Sequence, residues 1–161
     1  MIERNNYLSL IEKWKDRKVI KVITGIRRCG KSTLLKMYRD KLMQEGVHES
    51  QIVWLKFEDL DNEPYDYKAL YAHVKKCILP NKMNYLFFDE IQLVENFQRV
   101  IYSLFLLDNV DIYVTGSNAY LLSGEIATLL TGRYVEIKVY PLSFKEFFSS
   151  CSDTMSVEGA Y

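Results

Sequence analysis

Apolar positions along this chain alternate between a helical and an extended period. Tyr7, Leu10, Ile11 and Trp14 fall at three- and four-residue steps and share one helical face. A charged turn, Lys15-Asp16-Arg17-Lys18, leads into the β-branched run Val19-Ile20-Lys21-Val22-Ile23-Thr24, which predicts a strand. From Lys31 to about Gln44, Leu34, Leu35, Tyr38, Leu42 and Met43 return to a helical period, and Gly46 stands where a helix stop is expected. The alternation then repeats. Ile52 to Phe57 predicts a strand, Tyr67 to Ile78 a helix closed by Pro80, Tyr85 to Phe88 a strand, and Asn96 to Leu107 a helix. Asp111 to Thr115 and Tyr134 to Val139 give two more strands, with short helical pieces between Ala119 and Leu130.

Alternation of strand and helix over most of the length predicts an α/β fold: a mainly parallel five-stranded sheet with helices on both faces. Right-handed crossovers put all strand C-termini on one edge, where such sheets bind ligands. No internal repeat or low-complexity segment interrupts the pattern. Residues 1–148 read as one domain. The tail, 149–161, is polar and lacks a closing element, so it is expected to begin a further C-terminal region.

Composition changes this picture little. The chain has 161 residues, with 48% apolar, 26% charged, and 21 acidic against 21 basic residues, which suits one soluble domain. Neutrality gives no sign of a large basic face for nucleic acid, although a local patch fits within a neutral sum. No apolar run approaches the ~18 residues of a membrane helix. The N-terminus lacks a signal-peptide core, so a cytoplasmic, non-membrane protein is expected. Cys29, Cys77 and Cys151 are scattered, and His48 and His73 do not join them. No zinc site is expected, only reduced thiols.

Chemistry enters at Gly25-Ile26-Arg27-Arg28-Cys29-Gly30-Lys31-Ser32, which fits G-x-x-x-x-G-K-[ST] between a predicted strand and a predicted helix. Glycines let the backbone wrap an anion without a Cβ in the way. Inward N–H groups and the positive end of the following helix then form the cradle, which extends to Thr33. Lys31 adds a full charge toward the outer phosphates, and the Ser32 hydroxyl suits Mg²⁺. Arg27 and Arg28 read equally well as solvated turn charges or as phosphate or partner contacts. Cys29 reads as a small space-filler. ATP with Mg²⁺ is the expected ligand, and no Asn-Lys-x-Asp guanine signature points to GTP.

Tyr85-Leu86-Phe87-Phe88-Asp89-Glu90 is an apolar strand ending in two carboxylates. Asp89 at its tip is expected to hold Mg²⁺, and Glu90 to orient and deprotonate an attacking water. Ile112 to Asn118 is another strand, ending in small polar residues. Ser117 or Asn118 is placed to hydrogen-bond the γ-phosphate or the attacking water, with a turn and helix cap as the competing reading. Gly132-Arg133 precedes the last strand; an Arg in a turn is commonly structural, and spacing alone gives it no catalytic role.

GIRRCGKST, YLFFDE, YVTGSNAYLLSGE, LLTGRY and VYPLSFKEF, in that order, resemble the AAA-like P-loop ATPase domain of bacterial and archaeal proteins that carry a further C-terminal domain. The resemblance covers about Ile2 to Phe148. It implies a three-layer, additional-strand P-loop fold in which the sensor strand separates the phosphate-loop and acidic strands. It also implies Walker A roles for Lys31 and Ser32, Walker B roles for Asp89 and Glu90, and a sensor role for Ser117 or Asn118. Arg133 takes the place of an arginine finger acting on a neighbour's nucleotide, which requires a homo-oligomer. The helical lid and extra domain of that family would follow the present residues.

The expected activity is Mg²⁺-dependent ATP hydrolysis coupled to a conformational change in an attached domain or partner, catalysed through Glu90, Lys31 and Arg133. The alternative is a nucleotide-dependent switch with little turnover of its own. A small-molecule kinase is disfavoured because the Asp89-Glu90 pair suits water as the acceptor.

Overall fold

A computed structural model describes residues 4–58, 66–116, 121 and 125–141. Helix α1 (Asn5–Glu12) precedes β1 (Ile20–Thr24), α2 (Lys31–Gln44), β2 (Ile52–Lys56), α3 (Tyr67–Cys77) and β3 (Asn84–Asp89). Then follow α4 (Phe97–Phe105), β4 (Val110–Gly116), α5 (Glu125–Leu130) and β5 (Tyr134–Lys138). Single 3₁₀ turns at Glu49–Gln51 and Ile91–Leu93 lead into β2 and follow β3.

The five strands form one sheet in the order β2-β3-β4-β1-β5. All four pairings are parallel, with Val22 opposite Val114 and Glu136, and Leu86 opposite Ile112 and Val53. Every residue of β1, β3 and β4 is buried, as expected for inner strands covered on both faces. The β2 edge strand alternates buried and half-buried positions.

Two cores flank the sheet. On one face Ile20, Val22, Leu86, Phe88, Ile112 and Val114 meet α3, α4 and α5 through Leu70, Val74, Val100, Ile101, Leu104 and Leu130. On the other, Ile23, Phe87, Tyr113 and Ile137 meet α1 and α2 through Ile11, Leu34, Leu35, Tyr38 and Leu42. Phe87 stacks on Tyr113 with ring centroids 4.8 Å apart, and Tyr38 of α2 lies 5.3 Å from the Tyr113 ring. Such pairs add to area burial and fix the seating of α2, hence of the loop in front of it.

Leu10 and Met43, assigned by period to buried faces, are 48% and 41% exposed. Helix α1 lies at the periphery and buries only Ile11 fully. Met43 lines a shallow groove with Ile52 and Trp54 where α2 runs past the sheet edge.

A buried polar network closes the sheet edge remote from the glycine loop. Lys21 and Asp111, both nearly inaccessible, are directly paired. Asp111 also accepts from Tyr113 Oη and from the Asp16 N–H, each at 2.8 Å. Burial pushes the Asp111 carboxyl above its usual range and the Lys21 ammonium below it, while their mutual attraction opposes both shifts.

Candidate functional site

Strand β1 runs straight into the glycine loop, and α2 begins at its far side. Two turns in the left-handed region shape the loop, Arg28 at φ 65° and Gly30 at φ 96°. Gly30 is the residue that caps α2, a position where a Cβ is disfavoured. Gly25 is required for close approach: a Cβ there would lie 2.4 Å from the Val139 carbonyl oxygen and 2.6 Å from Cys29 Sγ. Cys29, 5% exposed, fills the space under the loop as the sequence suggested. Ile26, Arg27 and Arg28 project into solvent, and Thr33 is exposed on the first turn of α2.

Lys31 is 4% exposed. Its Nζ donates to the Gly25 and Ile26 carbonyls at 3.2 and 3.3 Å and stands 3.5 Å from Glu90 Oε1. The loop thus holds its ammonium at the mouth of the helix, facing the acidic pair rather than solvent.

Because β4 lies between β1 and β3, the ends of all three strands converge in front of α2. The Ser32 hydroxyl donates to Asp89 Oδ1 at 3.0 Å, and the Thr115 hydroxyl donates to the same oxygen at 2.5 Å. Thr115 Oγ1 also accepts from the Glu90 N–H at 2.9 Å. One hydroxyl at the tip of β4 therefore fixes both members of the acidic pair. Asp89 is 1% exposed, and its Oδ2 has no hydrogen-bond partner in the protein. A buried carboxylate oxygen without a protein partner, beside a serine hydroxyl, is a hard-oxygen donor set that fits Mg²⁺.

Glu90 leaves the strand at φ 56°, a conformation uncommon for a residue with a side chain. The turn aims its carboxylate back toward Lys31, and Gln92 Nε2 donates to Glu90 Oε2. Strain of this kind persists only where surrounding contacts impose it and is concentrated at functional positions.

Of the sequence-predicted site residues, the loop, Lys31, Ser32, Asp89 and Glu90 come together. Ser117 and Asn118 lie outside the described residues. Arg133 is elsewhere: its carbonyl accepts from the Ile20 N–H at 2.8 Å, at the opposite end of β1 from the loop. Its Nη1 donates to the Leu129 carbonyl at 3.0 Å, and its guanidinium lies over the Tyr102 ring, 5.4 Å from the centroid. Sequence reasoning missed Thr115, Gln92 and Arg4. For Thr115 a signal existed, since a hydroxyl in a strand buried on both faces must find a partner. Arg4 gave no local signal.

A strand inserted between the loop strand and the acidic strand is the mark of the AAA-like division of P-loop folds, and the β3-β4-β1 order is that arrangement. The chain belongs to the AAA domain family, whose model matches residues 17–148. It is 49% identical over 151 residues to an uncharacterized protein of Haemophilus influenzae, covering 91% of this chain and 37% of that protein. An uncharacterized protein of Methanocaldococcus jannaschii is 38% identical over 130 residues, covering 80% of this chain and 28% of that protein. The chain thus spans about a third of the length of the curated relatives it matches. Among solved structures, the AMPPCP-bound DnaA of Aquifex aeolicus superposes with a TM-score of 0.58 at 15% identity, covering 98% of this chain and 52% of that one. That likeness is one of fold. Among the described residues, no helix is long and apolar enough to cross a membrane.

Proposed function

We propose that this domain binds ATP with Mg²⁺ in the loop from Gly25 to Thr33 and hydrolyses it. The observation that carries the reading is the convergence of Lys31, Ser32, Asp89 and Glu90 within hydrogen-bond or ion-pair distance. Membership of the AAA family and a fold shared with a protein solved with AMPPCP support the same reading.

Each residue then has a role. Backbone N–H groups of the loop and the start of α2 receive the phosphates. Lys31 exchanges its contacts to the Gly25 and Ile26 carbonyls and to Glu90 for the outer phosphates, with the charge they carry being the stronger attractor. Asp89 and Ser32 hold Mg²⁺, which neutralises charge on the phosphate oxygens when bound. Release from Lys31 frees Glu90 to orient and deprotonate water, the positioning that phosphoryl transfer to water demands. Ser117 or Asn118 remains the proposed sensor. Turnover is proposed to drive movement of an attached domain or of a partner.

A pair of variants tests this. Lys31→Ala should abolish ATP binding in titration calorimetry. Glu90→Gln should bind ATP within about threefold of wild type while turnover falls by ~100-fold or more, the usual weight of a general base. Normal hydrolysis by Glu90→Gln removes that residue from the role of water activator. Binding with negligible turnover in the wild type would favour the switch over the ATPase.

A further inference from the structure

The most unusual contact outside the acidic pair belongs to Arg4, immediately before α1. The residue is only 7% exposed, and its side chain joins two segments distant in sequence. Nη1 donates to the carbonyl of Cys29, a residue of the glycine loop, at 2.9 Å, and Nη2 donates to the Tyr140 carbonyl just after β5 at 2.6 Å. The guanidinium also lies over the Tyr7 ring, 4.6 Å from its centroid, and the Tyr7 hydroxyl accepts from the Tyr140 N–H at 3.2 Å. The Arg4 carbonyl in turn accepts from the Tyr7 and Leu8 N–H groups, opening α1.

We propose that Arg4 is a positioning residue for phosphate binding, acting by holding the Cys29–Gly30 peptide in the orientation the anion cradle needs. The proposal rests on the nucleotide reading above. In a trans peptide the carbonyl of one residue and the N–H of the next point in opposite directions. A guanidinium that pulls the Cys29 carbonyl to the outside of the loop therefore turns the Gly30 N–H to the inside. Gly30 is the neighbour of this contact: a Cβ on it would meet Arg4 Nη1 at 3.7 Å.

The contacts within the loop hold the Gly25 and Ile26 carbonyls through Lys31 and the Cys29 N–H through Ile26, whereas the Cys29 carbonyl is held by Arg4. Gly30 stands in left-handed backbone and tolerates either sign of φ, so the peptide between Cys29 and Gly30 can flip at small cost. A flip would present a carbonyl to the phosphates in place of an N–H. Arg suits the task better than Lys, because one planar fork donates to two carbonyls on separate segments at once. The second donation ties the loop to the Tyr140 segment, which leaves β5 beside Gly25.

The proposal is tested by titrating ATP and inorganic tripolyphosphate, each with Mg²⁺, into the intact wild-type protein and its Arg4→Lys and Arg4→Ala variants, with melting temperatures recorded without ligand. Arg4→Lys keeps the cation but not the fork; it should bind both ligands several-fold more weakly with little change in melting temperature. Arg4→Ala should lose about tenfold or more, as for a charged hydrogen bond, and millimolar guanidinium should restore part of it. Wild-type affinity in Arg4→Lys would overturn the proposal, as would a loss confined to ATP, which would place Arg4 on the base or ribose. A loss that only tracks a fall in melting temperature overturns it too, by making the contact merely structural. If Arg4→Ala does not fold, Arg4→Lys decides alone. Failure of the wild type to bind either ligand would instead defeat the nucleotide reading.

Discussion

At the residue scale, the centre of the site is a hydroxyl rather than a charge. Thr115 is fully buried and touches both acids, donating to Asp89 Oδ1 and accepting from the Glu90 N–H. It therefore couples the Asp89 carboxylate, the proposed Mg²⁺ ligand, to the strained turn that aims Glu90. Thr115→Val preserves shape and removes both hydrogen bonds, leaving the Glu90 N–H without its acceptor. Its cost to stability should be about 1–3 kcal/mol, the range for a buried group left unsatisfied. Its cost to turnover should be larger in effect: Glu90 no longer holds its direction, and misplacement by about an ångström is worth ~100-fold in rate. ATP affinity, proposed to rest on the loop and Lys31, should change little. Steady-state kinetics and calorimetry on one preparation check this, and a Thr115→Val protein with wild-type kcat would show that Glu90 needs no such support.

At the scale of elements, the sheet divides into a chemical edge and a structural edge. The loop and acids gather at the strand C-termini, while Lys21, Asp111, Asp16 and Tyr113 interlock at the other end. Asp111→Asn leaves the Lys21 ammonium buried without its counter-charge, so it should destabilise the fold by about 3–5 kcal/mol. Chemical denaturation measures that loss, and ATP affinity at a permissive temperature should be retained. A change below about 1 kcal/mol would mean that water or rearrangement relieves Lys21. The elements themselves were legible because each buried face repeats locally. The expected helix from Lys31 to about Gln44 matches α2, and the five expected strands match β1 to β5 within two residues at each end. The loop and the Asp-Glu tip were legible for the same reason, being contiguous in sequence. Period cannot reveal which strand ends meet. The place of β4 between β1 and β3 came from family resemblance, and without it Thr115 has no reason to touch Asp89, 26 residues away. Arg4 and Cys29 are likewise 25 residues apart, joined because the residue that opens α1 packs against the loop in three dimensions.

At the scale of the whole molecule, the question is what Arg133 does. The chain cannot bring it to its own nucleotide site: it contacts the start of β1, while the loop leaves the end, and four strand steps separate them by about 13 Å. Within this chain it has a structural occupation, the Leu129 carbonyl and the Tyr102 ring. A face cation–π contact at a partly exposed position contributes only about 0.5–1 kcal/mol. Two outcomes therefore separate cleanly. If a second copy presents Arg133 to this copy's phosphates, turnover per subunit should rise with protein concentration as copies associate. Arg133→Ala should then remove that rise, with a rate loss of order 10³-fold or more, since spread phosphoryl charge is what an arginine finger stabilises. ATP affinity of the isolated chain should be unchanged. If Arg133 serves only its own turn, the same substitution should lower the melting temperature slightly and leave turnover at every concentration as it was. Mixing Arg133→Ala with Lys31→Ala sharpens the choice: if the arginine acts in trans, neither variant turns over efficiently alone and the mixture regains activity, whereas if it serves only its own turn, Arg133→Ala is active alone and Lys31→Ala adds nothing to it.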